Sequence, residues 1–106
     1  MSSNPEDQKL QTLALATMVR SDAKSAAALR DSTGRTYVAV PVEIDDFKID
    51  AIGAVLVVAK ASGIKGIEAI VITGEKPSEG AITLVKTVTS AAQVFFATAS
   101  GELLSL

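Results

Sequence analysis

Leu10, Leu13, Ala14, Thr17 and Met18 recur at i, i+3, i+4, i+7 and i+8, the spacing that gathers apolar groups on one face of a helix. Asn4 is placed to cap that helix, and Pro5 suits its first turn, where no backbone donor is needed. Glu6 and Asp7 follow at the positive end of the helix dipole. The pattern fades near Arg20–Asp22, and Met1–Ser3, leading up to Asn4, is expected as a frayed tail. The period then changes. Ser25–Asp31 is a short apolar run, Asp31-Ser32-Thr33-Gly34 is a turn signal, and Thr36–Val42 is β-branched and aromatic. Two such runs around a glycine turn predict a hairpin. Pro41 has no backbone N–H to give a sheet, so it belongs at an edge or an end.

The spacing predicts a helix over Phe47–Ser62, with Asp45-Asp46 as its cap and Gly63 as its stop. Val and Ile within Ala51–Ala59 favour a strand, but length and the two end signals favour a helix. Such a helix is apolar nearly all round and must be buried or lie in a subunit interface. Ile67–Thr73 reads as a buried strand. Ser78 caps a helix over Glu79–Ser90, with Ile82, Val85 and either Val88 or Thr89 turned inward. Gln93–Thr98 is a second buried strand, and Ser100-Gly101 turns the chain near its end. The order helix, hairpin, helix, strand, helix, strand predicts a single α/β domain over residues 1–106. Its sheet is mixed and four- or five-stranded, with a parallel β-α-β-α-β part, right-handed crossovers and helices on both faces.

Composition narrows the chemistry. Of the 106 residues 48% are hydrophobic and 4% aromatic, so the core is built from Ala, Val, Ile and Leu. A net charge of −2 supplies no field for nucleic acid or an anionic membrane. The longest apolar run, Ala51–Ala59, is too short to span a bilayer, and the polar start carries no signal-peptide pattern, so a cytoplasmic location is expected. There is no cysteine and no histidine. That excludes disulfides and thiol chemistry and removes the two best zinc ligands and the usual general base at neutral pH. An enzyme here would have to work with carboxylates, lysines, hydroxyls and one tyrosine.

Several short segments fall in a known order. "GRTYVAVPVE", residues 34–43, resembles the Gly-x-x-Tyr-x-Gly-x-Asn-x-Glu hairpin segment of the small cytidine deaminases. Gly34, Tyr37 and Glu43 match, Ala39 replaces the second glycine, and Pro41 replaces the asparagine. "AAAL", Ala26–Leu29, resembles the family's Gly-Ala-Ala-Leu, and "PSEGA", Pro77–Ala81, falls where the family has Pro-Cys-x-x-Cys. The resemblance covers roughly residues 10–98 and implies the three-layer αβα cytidine deaminase-like fold, shortened at the C-terminus. In that family zinc sits at two helix N-termini, lowers the pKa of a bound water, and a nearby Glu shuttles the proton. Ser78 and Ala81 stand in the two cysteine slots. The central Cys/His-Ala-Glu signature falls at Asp50-Ala51-Ile52 when aligned back from Gly63, or at Ile52-Gly53-Ala54 when aligned forward from Glu43. Either way the metal ligands and the proton shuttle are missing together, so no catalytic residue, metal or cofactor is expected.

Glu43 and Tyr37 are the candidates for a vestigial substrate pocket. Their structural readings are a surface carboxylate in an acidic turn and a packing aromatic. Asp50, Ser78 and Thr83, with Lys76 nearby, would make a polar pocket at converging helix N-termini, against the simpler reading of Ser78 as a cap. "GEKPSEG" lacks the glycine spacing of a phosphate-binding loop. Aliphatic Ile52, Val55, Leu56 and Val58 suggest a metal cavity refilled by apolar side chains. Three functions compete: a degenerate deaminase homologue with a structural or protein-binding role, a nucleoside or anion binder, and an enzyme with new carboxylate chemistry, for which no constellation is seen. Relatives assemble as dimers or tetramers through the central helix, so a homo-oligomer through Phe47–Ser62 is expected, with room for an unidentified protein partner.

Overall fold

A computed structural model describes residues 4–106. The tail expected over Met1–Ser3 lies outside the described residues. In chain order the elements are α1 (Pro5–Arg20), β1 (Ala26–Asp31), β2 (Thr36–Ala39), β3 (Val42–Ile44), β4 (Phe47–Ile49), α2 (Ala51–Ala61), β5 (Ile67–Thr73), α3 (Glu79–Val88), β6 (Gln93–Ala97) and β7 (Leu103–Ser105). The first helix starts as its sequence dictates: the Asn4 side chain accepts a hydrogen bond from the Glu6 amide at 2.8 Å.

Five strands form one mixed sheet in the order β2-β1-β5-β6-β7. Alternation along the two central strands sorts the core into two layers. Ala26, Ala28, Ala69 and Val71 face α1, where they meet Leu10 and Ala14. Ala27, Leu29, Ile70 and Ile72 face the opposite layer, with Ile52, Val55 and Ala59 of α2 and Val85 of α3. The helices therefore lie on both faces, as the sequence order requires. Each fully buried Leu, Ile or Val contributes about 1.5–3 kcal/mol, and β1 is buried along its whole length.

Four details differ from the sequence expectations. The helix expected over Phe47–Ser62 begins only at Ala51, with Asp50 as its cap. Phe47–Ile49 instead pairs antiparallel with Val42–Ile44. Asp45-Asp46 is the hairpin turn rather than a cap: Asp45 takes a positive φ of 50°, which an Asp side chain tolerates better than most. The β-branched run Thr36–Val42 is split, because Pro41 cannot donate to a sheet, and β2 ends at Ala39. The sheet is mixed, as the sequence order predicts. β5 pairs parallel with β6 across α3, but it pairs antiparallel with β1. Finally, α3 stops at Val88, and Thr89 leaves the helix so that its hydroxyl accepts from the Ile67 amide at 2.9 Å. The short strand β7, not expected from the sequence, closes the sheet with Leu103 buried.

Candidate functional site

The N-termini of α2 and α3 open onto one cavity of about 290 Å³. Its walls are largely apolar, from Pro41, Ala51, Ile52, Ile72 and Pro77, and Ser25, Asp50, Glu75, Lys76 and Ser78 supply the polar groups. A larger, more open depression of about 450 Å³ adjoins it, sharing Pro41, Asp50 and Glu75 and reaching Glu43 and Lys48. Both lie beside the end of β5 from which the chain runs into α3.

The polar groups at the helix ends are already engaged. Asp50 Oδ1 accepts from the Gly53 amide at 2.7 Å, and Ser78 Oγ accepts from the Ala81 amide at 3.1 Å. Each side chain satisfies one of the orphan donors of a first helical turn. Gly53 belongs to the same arrangement, since a Cβ there would stand 2.7 Å from Ile49 Cγ1 and 3.0 Å from Asp50 Oδ1. Ile52 is 2% exposed and Ala81 7%: Ala81 fills core, and Ile52 gives the cavity an apolar wall with no ligand atom. The donor set does not fit a tetrahedral metal: among the described residues no three His, Cys, Asp or Glu side chains group together as ligands.

The two substrate-pocket candidates are not brought together. Glu43 is exposed on β3, with its carboxylate 3.7 Å from Lys48 Nζ. Tyr37 is half-buried on β2 and packs against the core on the α2 side. It lines a separate cleft with Arg35, Gly63 and Lys65, at the end of α2 remote from Asp50. Lys76 lines the helix-end cavity, whereas Thr83 is exposed farther along α3 and does not.

Sequence reasoning missed a buried ionic network. Arg30 on β1 donates to Asp7 Oδ1 of α1 at 2.8 Å and to Glu68 Oε1 of β5 at 2.9 Å. Burial works against the Arg30 charge, but the hydrogen bonds to Asp7 and Glu68 and their charges outweigh it and raise its pKa. Asp7, read from the sequence as a dipole partner, is thus also a tie between helix and sheet. The one available signal was a charged residue directly after the apolar run Ala26–Leu29. At the β1–β2 turn, burial pushes the Asp31 carboxyl up. Hydrogen bonds from Thr33 and from the Arg35 amide, with the Arg35 charge, outweigh it and hold the pKa below the usual carboxylate value.

No helix among the described residues is long and apolar enough to cross a membrane. The fold has solved counterparts. A cytidine deaminase from Burkholderia pseudomallei superimposes with a TM-score of 0.74 at 20% identity, covering 99% of this chain and 93% of that one. The Bacillus anthracis cytidine deaminase gives 0.73 at 13% identity, covering 97% and 83%. The Mycobacterium leprae enzyme gives 0.71 at 17% identity, covering 92% and 90%. At these identities the likeness concerns the fold alone. No curated relative matches the chain. The family model described as "CDL: Cytidine deaminase-like" matches residues 3–101, and the chain therefore belongs to the cytidine deaminase-like family.

Proposed function

We propose that this protein is a non-catalytic member of its family that acts as a self-associating structural or interaction module. One observation carries the reading. At the positions expected to hold the family's metal ligands and proton shuttle, Asp50 and Ser78 are helix caps, and Ile52 and Ala81 are buried apolar side chains. A zinc-activated water needs three ligands and a carboxylate to move its proton. Ile52 supplies neither, and an aliphatic side chain in the former cavity strands no polar atom. Self-association is supported by α2, whose inner face is core but whose Val57 and Val58 are 61% and 45% exposed, with Leu84 of α3 at 47%. An apolar surface of this kind is a common mark of a protein interface. The test is ultraviolet spectroscopy of cytidine incubated with the purified protein and added zinc. An unchanged spectrum at high protein concentration fits the reading, and steady conversion to uridine refutes it.

A second reading has its own support. The cavity at the two helix ends persists, with Lys76 beside backbone termini that favour an anion, and it adjoins Glu43. Under this reading the protein binds a nucleoside or phosphate without turning it over. Thermal-shift titration with cytidine, uridine, deoxycytidine and phosphate distinguishes the two. A ligand at a hundred times its Kd adds about 2.7 kcal/mol, several degrees for a domain of this size. A shift that Glu43→Ala abolishes would favour the binder.

A further inference from the structure

The cleft beside Tyr37 is built by two loops that the backbone ties together. Gly34 turns β1 into β2 with a φ of +90°, and Gly63 follows α2 with a φ of +84°. The Ser32 amide of the first loop donates to the Gly66 carbonyl of the second at 3.0 Å. Arg35 is pinned at its backbone: its amide donates to Asp31 Oδ1 and its carbonyl accepts from the Asp31 amide, both at 2.9 Å. The space between the loops is about 380 Å³, enough for a small ligand.

Three side-chain donors there are unengaged. Arg35 and Lys65 both line the cleft, and neither has an ion-pair partner among the described residues. The Tyr37 hydroxyl has no hydrogen-bond partner among the described residues either. The half-buried Tyr37 ring and Ile64 add apolar surface. Two features oppose an anion. Asp31 is a carboxylate in the cleft, and the C-terminal end of a helix carries about half a negative charge. Both are already engaged. Asp31 Oδ1 accepts from the Thr33 amide, the Thr33 hydroxyl and the Arg35 amide. The Ser62, Gly63 and Ile64 amides donate back to the last carbonyls of α2. Two full positive charges exceed what remains.

We propose that this cleft binds a small phosphate monoester carried on a flat ring. The Arg35 fork and the Lys65 ammonium meet the phosphate oxygens, and the ring lies against Tyr37. The cleft is at the end of α2 remote from Asp50, so the inference is independent of both functional readings.

Phenyl phosphate is titrated into the protein by isothermal calorimetry, beside inorganic phosphate. The variants are Arg35→Gln, Lys65→Gln and, at the helix-end cavity, Lys76→Gln. All three side chains are exposed, so none of the substitutions touches the core. Phenyl phosphate is expected to bind more tightly than inorganic phosphate and to lose at least about tenfold in affinity with Arg35→Gln or Lys65→Gln. Lys76→Gln is expected to leave its affinity unchanged. No binding to the wild type overturns the proposal, and so does binding that survives both Arg35→Gln and Lys65→Gln. A loss confined to Lys76→Gln also overturns it and moves the anion to the helix-end cavity. Equal affinity for the two phosphates overturns the part assigned to Tyr37.

Discussion

Nη2 of Arg30, near the end of β1, lies 2.8 Å from Oδ1 of Asp7 in the first turn of α1, and the two side chains are 6% and 2% exposed. Removing one partner of a buried pair leaves a charge in a poorly solvated place, which typically costs about 3–5 kcal/mol. Arg30→Met, which keeps much of the volume, is therefore expected to destabilise by that order in urea denaturation. Glu68 is the outer partner, 52% exposed, and Glu68→Ala should cost only about 0–1 kcal/mol. Equal losses for the two variants would contradict the assignment of Asp7 as the principal partner.

Asp50 and Ser78 act as helix caps, so their substitutions should follow capping chemistry rather than ligand chemistry. Asp50→Ala and Ser78→Ala are each expected to cost about 1 kcal/mol, while Asp50→Asn and Ser78→Thr should remain close to wild type. Thermal melts of the four variants check this. A large loss in Asp50→Asn would assign its negative charge a role beyond the cap.

Gly74, just after β5, has a φ of +91°, and a Cβ there would stand 2.2 Å from the Lys24 carbonyl oxygen and 2.8 Å from Met18 Sδ. Gly34, in the β1–β2 turn, has nearly the same φ of +90° but nothing within 4 Å. Gly34→Ala should therefore cost only the left-handed backbone penalty, about 1–2 kcal/mol. Gly74→Ala adds a clash with backbone and is expected to be markedly less stable, or unfolded. Comparable melting temperatures for the two would refute the close approach of β5 to the segment after α1.

Asp31 gives a pH dependence of defined sign. Its Oδ1 accepts from the Thr33 amide, the Thr33 hydroxyl and the Arg35 amide at 2.8–2.9 Å, and its folded pKa is lowered. The unfolded chain then takes up the proton first. The contribution of Asp31 is complete above the unfolded carboxyl value of about 3.9 and is lost as the pH falls through the lower folded value. The stability difference between wild type and Asp31→Asn should be flat from neutral pH down to that region and shrink below it. A difference that grows on acidification would reverse the sign.

The layout of the fold was legible because local and global signals agree in most elements. The Asn4 and Ser78 caps, the period of α1 and the apolar run of β5 each say locally what the sheet demands. The misreading of Phe47–Ile49 has a physical cause. A short β-branched and aromatic stretch fits either element, and the deciding signal, two aspartates in a tight turn, looks the same as a helix cap. The antiparallel pairing of β1 with β5 depends on which strand fills the gap beside β2, a long-range choice that no local pattern encodes. The Arg30–Asp7 pair joins residues 23 positions apart, and each has a satisfactory local reading of its own. At the candidate site, the capping role of Ser78 was legible from the chain alone. Tyr37 and Glu43 are grouped by one motif of the resembled family, whereas β2 and the β3–β4 hairpin carry them to different cavities.

The most direct measurement is the zinc content, by elemental mass spectrometry, of the protein produced in zinc-supplemented medium and desalted without chelator. With Asp50 and Ser78 engaged as caps and Ile52 and Ala81 buried, the expected result is far less than one zinc per chain. One equivalent of zinc per chain, retained through desalting, would contradict the reading of these helix ends as a site without metal.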